Sequence, residues 1–226
     1  MDISVVSNIH GLFYKISQSA NEELYEEIRA NKRFRNRLIP FAVINPTYTD
    51  WKHDLDVCCK KFGMMGLRLY PQYHNYELSD PSCIELVKVA SDRGMPVSFA
   101  IRFIDIRQRS WIGISRELSM SDIAAVVSSV PDARYITLNT IIGEMTDNDA
   151  ETIKNADIVF DTARLVGIPA GSANSHMPTI IDKYGRDKLA FGTFTPFLDY
   201  VTPFIRIGVL KDSEVNEAAK ELIWSG

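Results

Sequence analysis

Short apolar, β-branched runs alternate with amphipathic helical patterns from one end of this chain to the other, and that alternation restricts the fold more than any other feature. Ile3 to Val6, Ile39 to Ile44, Gly66 to Leu69, Pro96 to Ile101, Tyr135 to Leu138, Asp157 to Phe160 and Lys188 to Phe191 read as seven strands. Between them, the spacing predicts helices at Glu22 to Ala30, Asp50 to Phe62, Asp80 to about Arg93, Ser121 to Ser129, Asp147 to Asn155 and Met177 to Tyr184. Two more are expected at Pro196 to Ile207 and Glu214 to Trp224. Strands this apolar are covered on both faces, which indicates a parallel sheet with crossover helices. An open doubly wound sheet and a barrel give the same local pattern, so periodicity leaves that choice open.

Punctuation supports the same division. Trp51, Leu55, Cys58, Cys59 and Phe62 form one apolar stripe, and Gly63 ends their helix. Asp80-Pro81 reads as a capping carboxylate followed by proline at the first helical position, with Gly94 as the stop. No linker, low-complexity tract or repeat interrupts the alternation, so residues 1–226 are expected to form a single domain. At 46% hydrophobic and 24% charged residues the chain can bury a core without disulfides.

Composition excludes some functions. The formal charge of −4 and the scattered Lys and Arg leave no basic face for a phosphate backbone, so no nucleic-acid partner is expected. No run approaches ~18 apolar residues, so no membrane span is expected. Cys58, Cys59 and Cys83 have no Cys-x-x-Cys spacing and read as buried thiols of a reducing, cytoplasmic compartment. The first residues have no basic-then-apolar signal-peptide pattern. Met64-Met65 reads as core filling, His53 as solvated, and His176 as a residue near a helix start.

Several segments resemble the amidohydrolase-2 family of metal-dependent hydrolases. Gly63-Met-Met-Gly-Leu-Arg-Leu-Tyr-Pro71 is similar to its Gly-x-x-Gly-Ile/Leu-Arg/Lys-Leu-x-Pro, and Phe41-Ala-Val-Ile-Asn-Pro46 to its third strand. Asp2-Ile-Ser-Val-Val-Ser7, Asn21-Glu-Glu-Leu24, Gly94-Met-Pro-Val97 and Val159-Phe-Asp-Thr162 resemble further segments in the family order. Leu189-Ala-Phe-Gly-Thr-Phe-Thr-Pro196 resembles the eighth-strand run Phe-Gly-Ser/Thr-Asp-x-Pro, with Phe194 where the family has Asp. The resemblance implies an α/β fold of the (β/α)8 TIM-barrel type, incomplete, holding strands two to eight. For a strand edge left open in this way, the expectation is either that the reading frame starts late or that the gap is filled by a non-standard closure or a partner subunit, such as a second copy.

The resemblance also implies a divalent metal such as zinc, but every ligand position that can be mapped is changed. The His-x-His of strand one is missing, Phe99 to Ile101 and Asn139 to Ile141 contain no His, and Phe194 cannot bind a cation. No cofactor and no metal ligand are therefore assigned. In this fold the positions just past each strand line the site. They hold His10, Tyr70, His74, Arg102, Asp105, Asn139 and Asp161. The functional reading makes His74 and Asp105 acid/base residues with Asp161 as an orienter. Arg102 then holds a carboxylate, and Tyr70, Asn139 and His10 contact substrate. In the competing reading Arg102 and Asp105 brace the loop from Phe103 to Trp111, and the histidines are surface residues. The expected function is a hydrolase of a small carboxylate-, amide- or lactone-type substrate with a degenerate metal site. A non-catalytic small-ligand binder or assembly protein is the alternative.

Overall fold

The structure is a computed structural model that describes residues 3–101, 117–140, 145–163, 181 and 183–193. Seven parallel strands follow in chain order, with helices between them, which makes the fold α/β, TIM-barrel-like and incomplete. The described residues fall into two compact units. One holds those up to Phe99 with Asp132–Arg134; the other holds those of Ala100–Pro131 and from Tyr135 onward.

In the first unit β1 (Ser4–Val6) leads through a single 3-10 turn, Ile9–Leu12, into α1 (Ser17–Ala30) and the short α2 (Lys32–Arg35). Next come β2 (Leu38–Val43), α3 (Trp51–Lys60), β3 (Gly66–Leu69), α4 (Pro71–His74), α5 (Pro81–Asp92) and β4 (Val97–Ala100). β1 pairs β2 from Ser4↔Leu38, β2 pairs β3 from Phe41↔Gly66, and β3 pairs β4 from Leu67↔Val97. Every residue of β3 and β4 is buried, as strands covered on both faces must be. Leu55, Leu67, Leu69, Leu86 and Val97 are fully enclosed, each contributing about 1.5–3 kcal/mol of burial. Gly66 is required by packing, because a Cβ there would lie 2.5–2.6 Å from the Phe41 ring.

α1 docks on β2 through a side chain that imitates a strand. Asn21, wholly buried, donates to the Val43 carbonyl at 2.9 Å and accepts the Val43 N–H at 2.8 Å. This satisfies two backbone groups that lie beyond the reach of the three-residue β1.

In the second unit α6 (Met120–Ser129), β5 (Tyr135–Leu138), α7 (Asp147–Asn155), β6 (Ile158–Asp161) and β7 (Leu189–Ala190) are described. β5 pairs β6 from Tyr135↔Ile158, and β6 pairs β7 from Phe160↔Leu189. Ser119 and Asp122 form a reciprocal capping box on α6. Ile123, Tyr135, Ile153, Ile158 and Phe160 are the buried core of this unit.

Several expectations need correction. α1 begins at Ser17 rather than Glu22, and the last strand is only Leu189–Ala190, preceded by a 3-10 turn at Arg186–Lys188. Asp80 does not cap α5 with its carboxylate, which turns back to accept the Glu77 N–H at 2.9 Å. Met64 is core, but Met65 is 60% exposed. Cys58 and Cys83 are buried, and burial pushes both thiols up to about 12; Cys59 is only partly buried. Gly63, Gly94 and Gly185 do take positive φ at the ends of helical segments. His176 and the helices expected at Pro196 to Ile207 and Glu214 to Trp224 lie outside the described residues. No described helix is long and apolar enough to cross a membrane.

Candidate functional site

The C-terminal strand ends of the first unit bring Ser7, Tyr70 and His74 together. Tyr70 is buried and precedes Pro71, whose fixed φ opens the one-turn helix α4. The His74 N–H closes that turn on the Tyr70 carbonyl at 3.0 Å, and Asn75, left-handed at φ 56, ends it. The His74 ring lies edge-on to Tyr70, with centroids 6.2 Å apart, and Ser7 Oγ is 3.4 Å from the Tyr70 hydroxyl.

One contact fixes the chemistry of His74. Its Nε2 lies 2.9 Å from the Gly11 carbonyl oxygen, and since a carbonyl only accepts, Nε2 carries the proton. Nδ1 is then the basic nitrogen, enclosed and without a hydrogen-bond partner among the described residues. Burial holds the imidazole below its ordinary value, with the Gly11 bond opposing. The ring is therefore neutral at pH 7, one nitrogen pinned and the other able to take a proton. Gly11 is seated for this contact by its missing side chain, since a Cβ would lie 2.8–3.1 Å from Val43. Asn8 caps the same 3-10 turn, accepting the His10 N–H at 3.0 Å.

His10 itself points elsewhere. Its Nδ1 is 3.0 Å from Glu23 Oε2, Tyr14 donates to Glu23 Oε1 at 2.8 Å, and Asn8 donates to Glu23 Oε2 at 3.0 Å. These bonds, His10 first and Tyr14 second, hold the exposed Glu23 carboxyl below its ordinary value. The cluster borders a groove of about 800 Å³ rich in glutamates.

In the second unit Asn139 and Asp161 meet, through backbone rather than side chain on one partner. Asn139 is left-handed at φ 53, and its N–H donates to Asp161 Oδ1 at 2.7 Å. Gly192 makes room for that carboxylate, because a Cβ there would stand 2.4 Å from Oδ2. Thr162 adds its N–H to the Ala190 carbonyl at 2.9 Å, and its hydroxyl accepts the Gly192 N–H at 3.3 Å. Arg102, Asp105 and Phe194 lie outside the described residues. Asn45 is committed to a turn, its Oδ1 accepting the Thr47 N–H and hydroxyl at 3.0 and 2.9 Å.

The partner that fixes His74 was not found from sequence. Gly11 is 63 positions away and works through its carbonyl, which no residue-type pattern reveals. Asn21 was likewise missed, since an Asn in the first turns of a helix reads as a surface residue.

A divalent ion of the kind the family resemblance implies needs several converging His or carboxylate ligands. Among the described residues no group of three or more His, Cys, Asp or Glu could hold one. Asp161 already accepts a backbone N–H, and His74 already donates to Gly11. The described residues do not fit that metal.

No protein-family model matches the chain, and no curated protein matches it by sequence. Solved structures do match. The 2,6-dihydroxybenzoate decarboxylase from Rhizobium is similar over 98% of this chain and 81% of its own, at 12% identity and TM-score 0.69. The 5-carboxyvanillate decarboxylase from Novosphingobium aromaticivorans, solved with manganese and 4-hydroxy-3-methoxy-5-nitrobenzoic acid, covers 99% of this chain and 74% of its own, at 9% identity and TM-score 0.68. An uncharacterized TIM-barrel protein from Bordetella bronchiseptica covers 90% and 68%, at 13% identity and TM-score 0.66. At such identities the likeness is one of fold, and it agrees with the incomplete barrel class.

Proposed function

We propose that this chain is an amidohydrolase-like enzyme of hydrolase or lyase type, acting on a small carboxylate-, amide- or lactone-bearing substrate without the family's divalent metal. The observation that carries this reading is His74, neutral and pinned through Nε2 to Gly11, with Nδ1 enclosed and unpartnered among the described residues. That arrangement suits a general base. Tyr70 and Ser7 supply hydroxyls beside it within the same unit. The roles expected of Arg102 as anion holder, Asp105 as acid/base residue, Asp161 as orienter and Asn139 and His10 as substrate contacts are further proposals, each to be tested by substitution in the same assay. Because two of the three structural neighbours named above are decarboxylases, of 2,6-dihydroxybenzoate and 5-carboxyvanillate, aromatic carboxylates are the first substrates to try.

The assembly reading is part of the proposal. A single cytoplasmic domain presents β1 at its edge, where Ile3 and Val5 are 58% and 44% exposed, and a second copy covers it. A second functional reading, a non-catalytic ligand binder on a barrel scaffold, is favoured by Asp161, whose Oδ1 is committed to the Asn139 N–H.

Calorimetry and turnover assays with 2,6-dihydroxybenzoate, simple lactones and amides separate the two. The enzyme reading expects product formation that His74→Gln removes while ligand affinity persists. Binding without turnover supports the binder. Stoichiometric manganese or zinc in the purified protein, required for turnover, refutes the metal-free mechanism.

A further inference from the structure

The turns that lead into β3 and β4 gather sulfur atoms that the His74 site does not use. Cys59 stands in the last turn of α3, Met64 and Met65 follow that helix, and Met95 follows α5. Gly63 (φ 64) and Gly94 (φ 68) let the chain leave each helix sharply, immediately before Met64 and Met95. Cys59 Sγ lies 3.3 Å from Met95 Sδ. Together with Met64, Met65, Lys60 and Arg93 they line a hollow of about 590 Å³.

Packing accounts for Met64 and Met95, which are 4% and 5% exposed. It does not account for Met65, a thioether 60% exposed at the same hollow, or for a thiol left partly open beside it. Arg93 Nη1 donates to Cys59 Sγ at 3.6 Å, while its Nη2 is bound to Asp56 Oδ1 at 2.6 Å and Lys60 holds the other oxygen of that carboxylate at 2.6 Å, which ties both cations of the hollow to Asp56. Among the described residues no carboxylate lines the hollow, which argues against a hard cation there. Thiolate and thioether donors are soft and select Cu(I).

We propose that Cys59 and Met95, completed by Met65, form a binding site for Cu(I). Cys59 loses its S–H proton to solvent as the S–Cu bond forms. Met95 and Met65 donate lone pairs, and the metal stays in the +1 state, so no electron is transferred.

The test is an anaerobic titration of the full chain with Cu(I) bicinchoninate, following loss of the coloured complex. One Cu(I) per chain should transfer to the protein. Cys59→Ser and Met95→Leu should each weaken transfer at least about tenfold, the loss that even an outer-shell change can cause. Met65→Leu, at an exposed position that leaves folding intact, should weaken it less but measurably. Thermal melts of the metal-free variants that match the parent assign the losses to ligands. Failure of the parent to take copper from bicinchoninate overturns the proposal, as does transfer undiminished by Cys59→Ser. Met95→Leu binding as tightly as the parent also overturns it, because a single thiol would then be the whole site.

Discussion

His74 and Asp161 sit at similar stations, one in the turn after β3 and the other closing β6, and both are polar groups drawn into the protein. Their surroundings differ. Asp161 has Oδ1 on the Asn139 N–H at 2.7 Å, and its carboxylate occupies space that only a glycine at 192 leaves open. His74 gives one nitrogen to Gly11 and keeps the other bare among the described residues. The first group supports an unusual backbone turn, Asn139 at φ 53; the second retains a proton-accepting lone pair. A chemically capable residue just past a strand is therefore informative only once the atoms already committed to the scaffold are subtracted.

The sharpest way to break this contrast is to remove the carboxylate. Asp161→Ala removes the carboxylate acceptor of the buried Asn139 N–H, and stability should fall by about 3 kcal/mol in urea unfolding. Asp161→Asn should restore part of the loss. An Asp161→Ala protein as stable as the parent would show that the carboxylate is not structural, and would return it to the list of catalytic groups. Gly192→Ala should cost somewhat less, about 2 kcal/mol, because the new methyl displaces that carboxylate. In the Asp161→Ala background the penalty should shrink, since the obstructing atoms are gone. An undiminished penalty in the double variant would locate the clash elsewhere.

Much of the scaffold was legible because its signals are local and periodic. Gly66–Leu69, Tyr135–Leu138 and Asp147–Asn155 have the bounds their patterns predict. The elements that shape the site were not. Ile9–Leu12 and Pro71–His74 are single turns, too short to show a stripe, yet they carry the Gly11 acceptor and His74. Asp80-Pro81 marked the start of α5 correctly, but Pro81 alone supplied the signal, as the Asp80 carboxylate serves Glu77. The sequence places Tyr70 and His74 past strand ends, and has no means of telling which imidazole nitrogen is free. Long-range contacts decide that, and no spacing encodes them.

A smaller effect sharpens the His74 side. His74→Gln keeps an amide N–H for the Gly11 carbonyl, so the change at neutral pH should stay below about 1 kcal/mol. The pH dependence should differ. Burial lowers the His74 pKa in the fold, so the unfolded chain binds the proton more readily. The stabilisation from the neutral ring is present above the ordinary value of 6.5 and is lost as pH falls through the lower folded value. The parent should thus lose stability in that acidic window faster than His74→Gln, as measured by parallel melts. Equal slopes would mean that the ring is charged or solvated, and the general-base reading would lose its support.

The smallest effect concerns His10, the imidazole that the sequence offers as a substrate contact. Its ring is engaged by Glu23 and Tyr14 on an exposed surface, where pairing is screened and adds little to stability. His10→Ala should therefore leave the melting temperature unchanged. It should still move one titration, because the His10 bond is the largest cause holding the Glu23 carboxyl down. Carboxyl NMR should show Glu23 rising toward its ordinary 4.5 in His10→Ala, with a smaller rise in Tyr14→Phe. An unmoved Glu23 would mean that the pair does not form in solution. His10 would then be free to turn toward a ligand, and the distinction between the two histidines would have to be drawn from turnover alone.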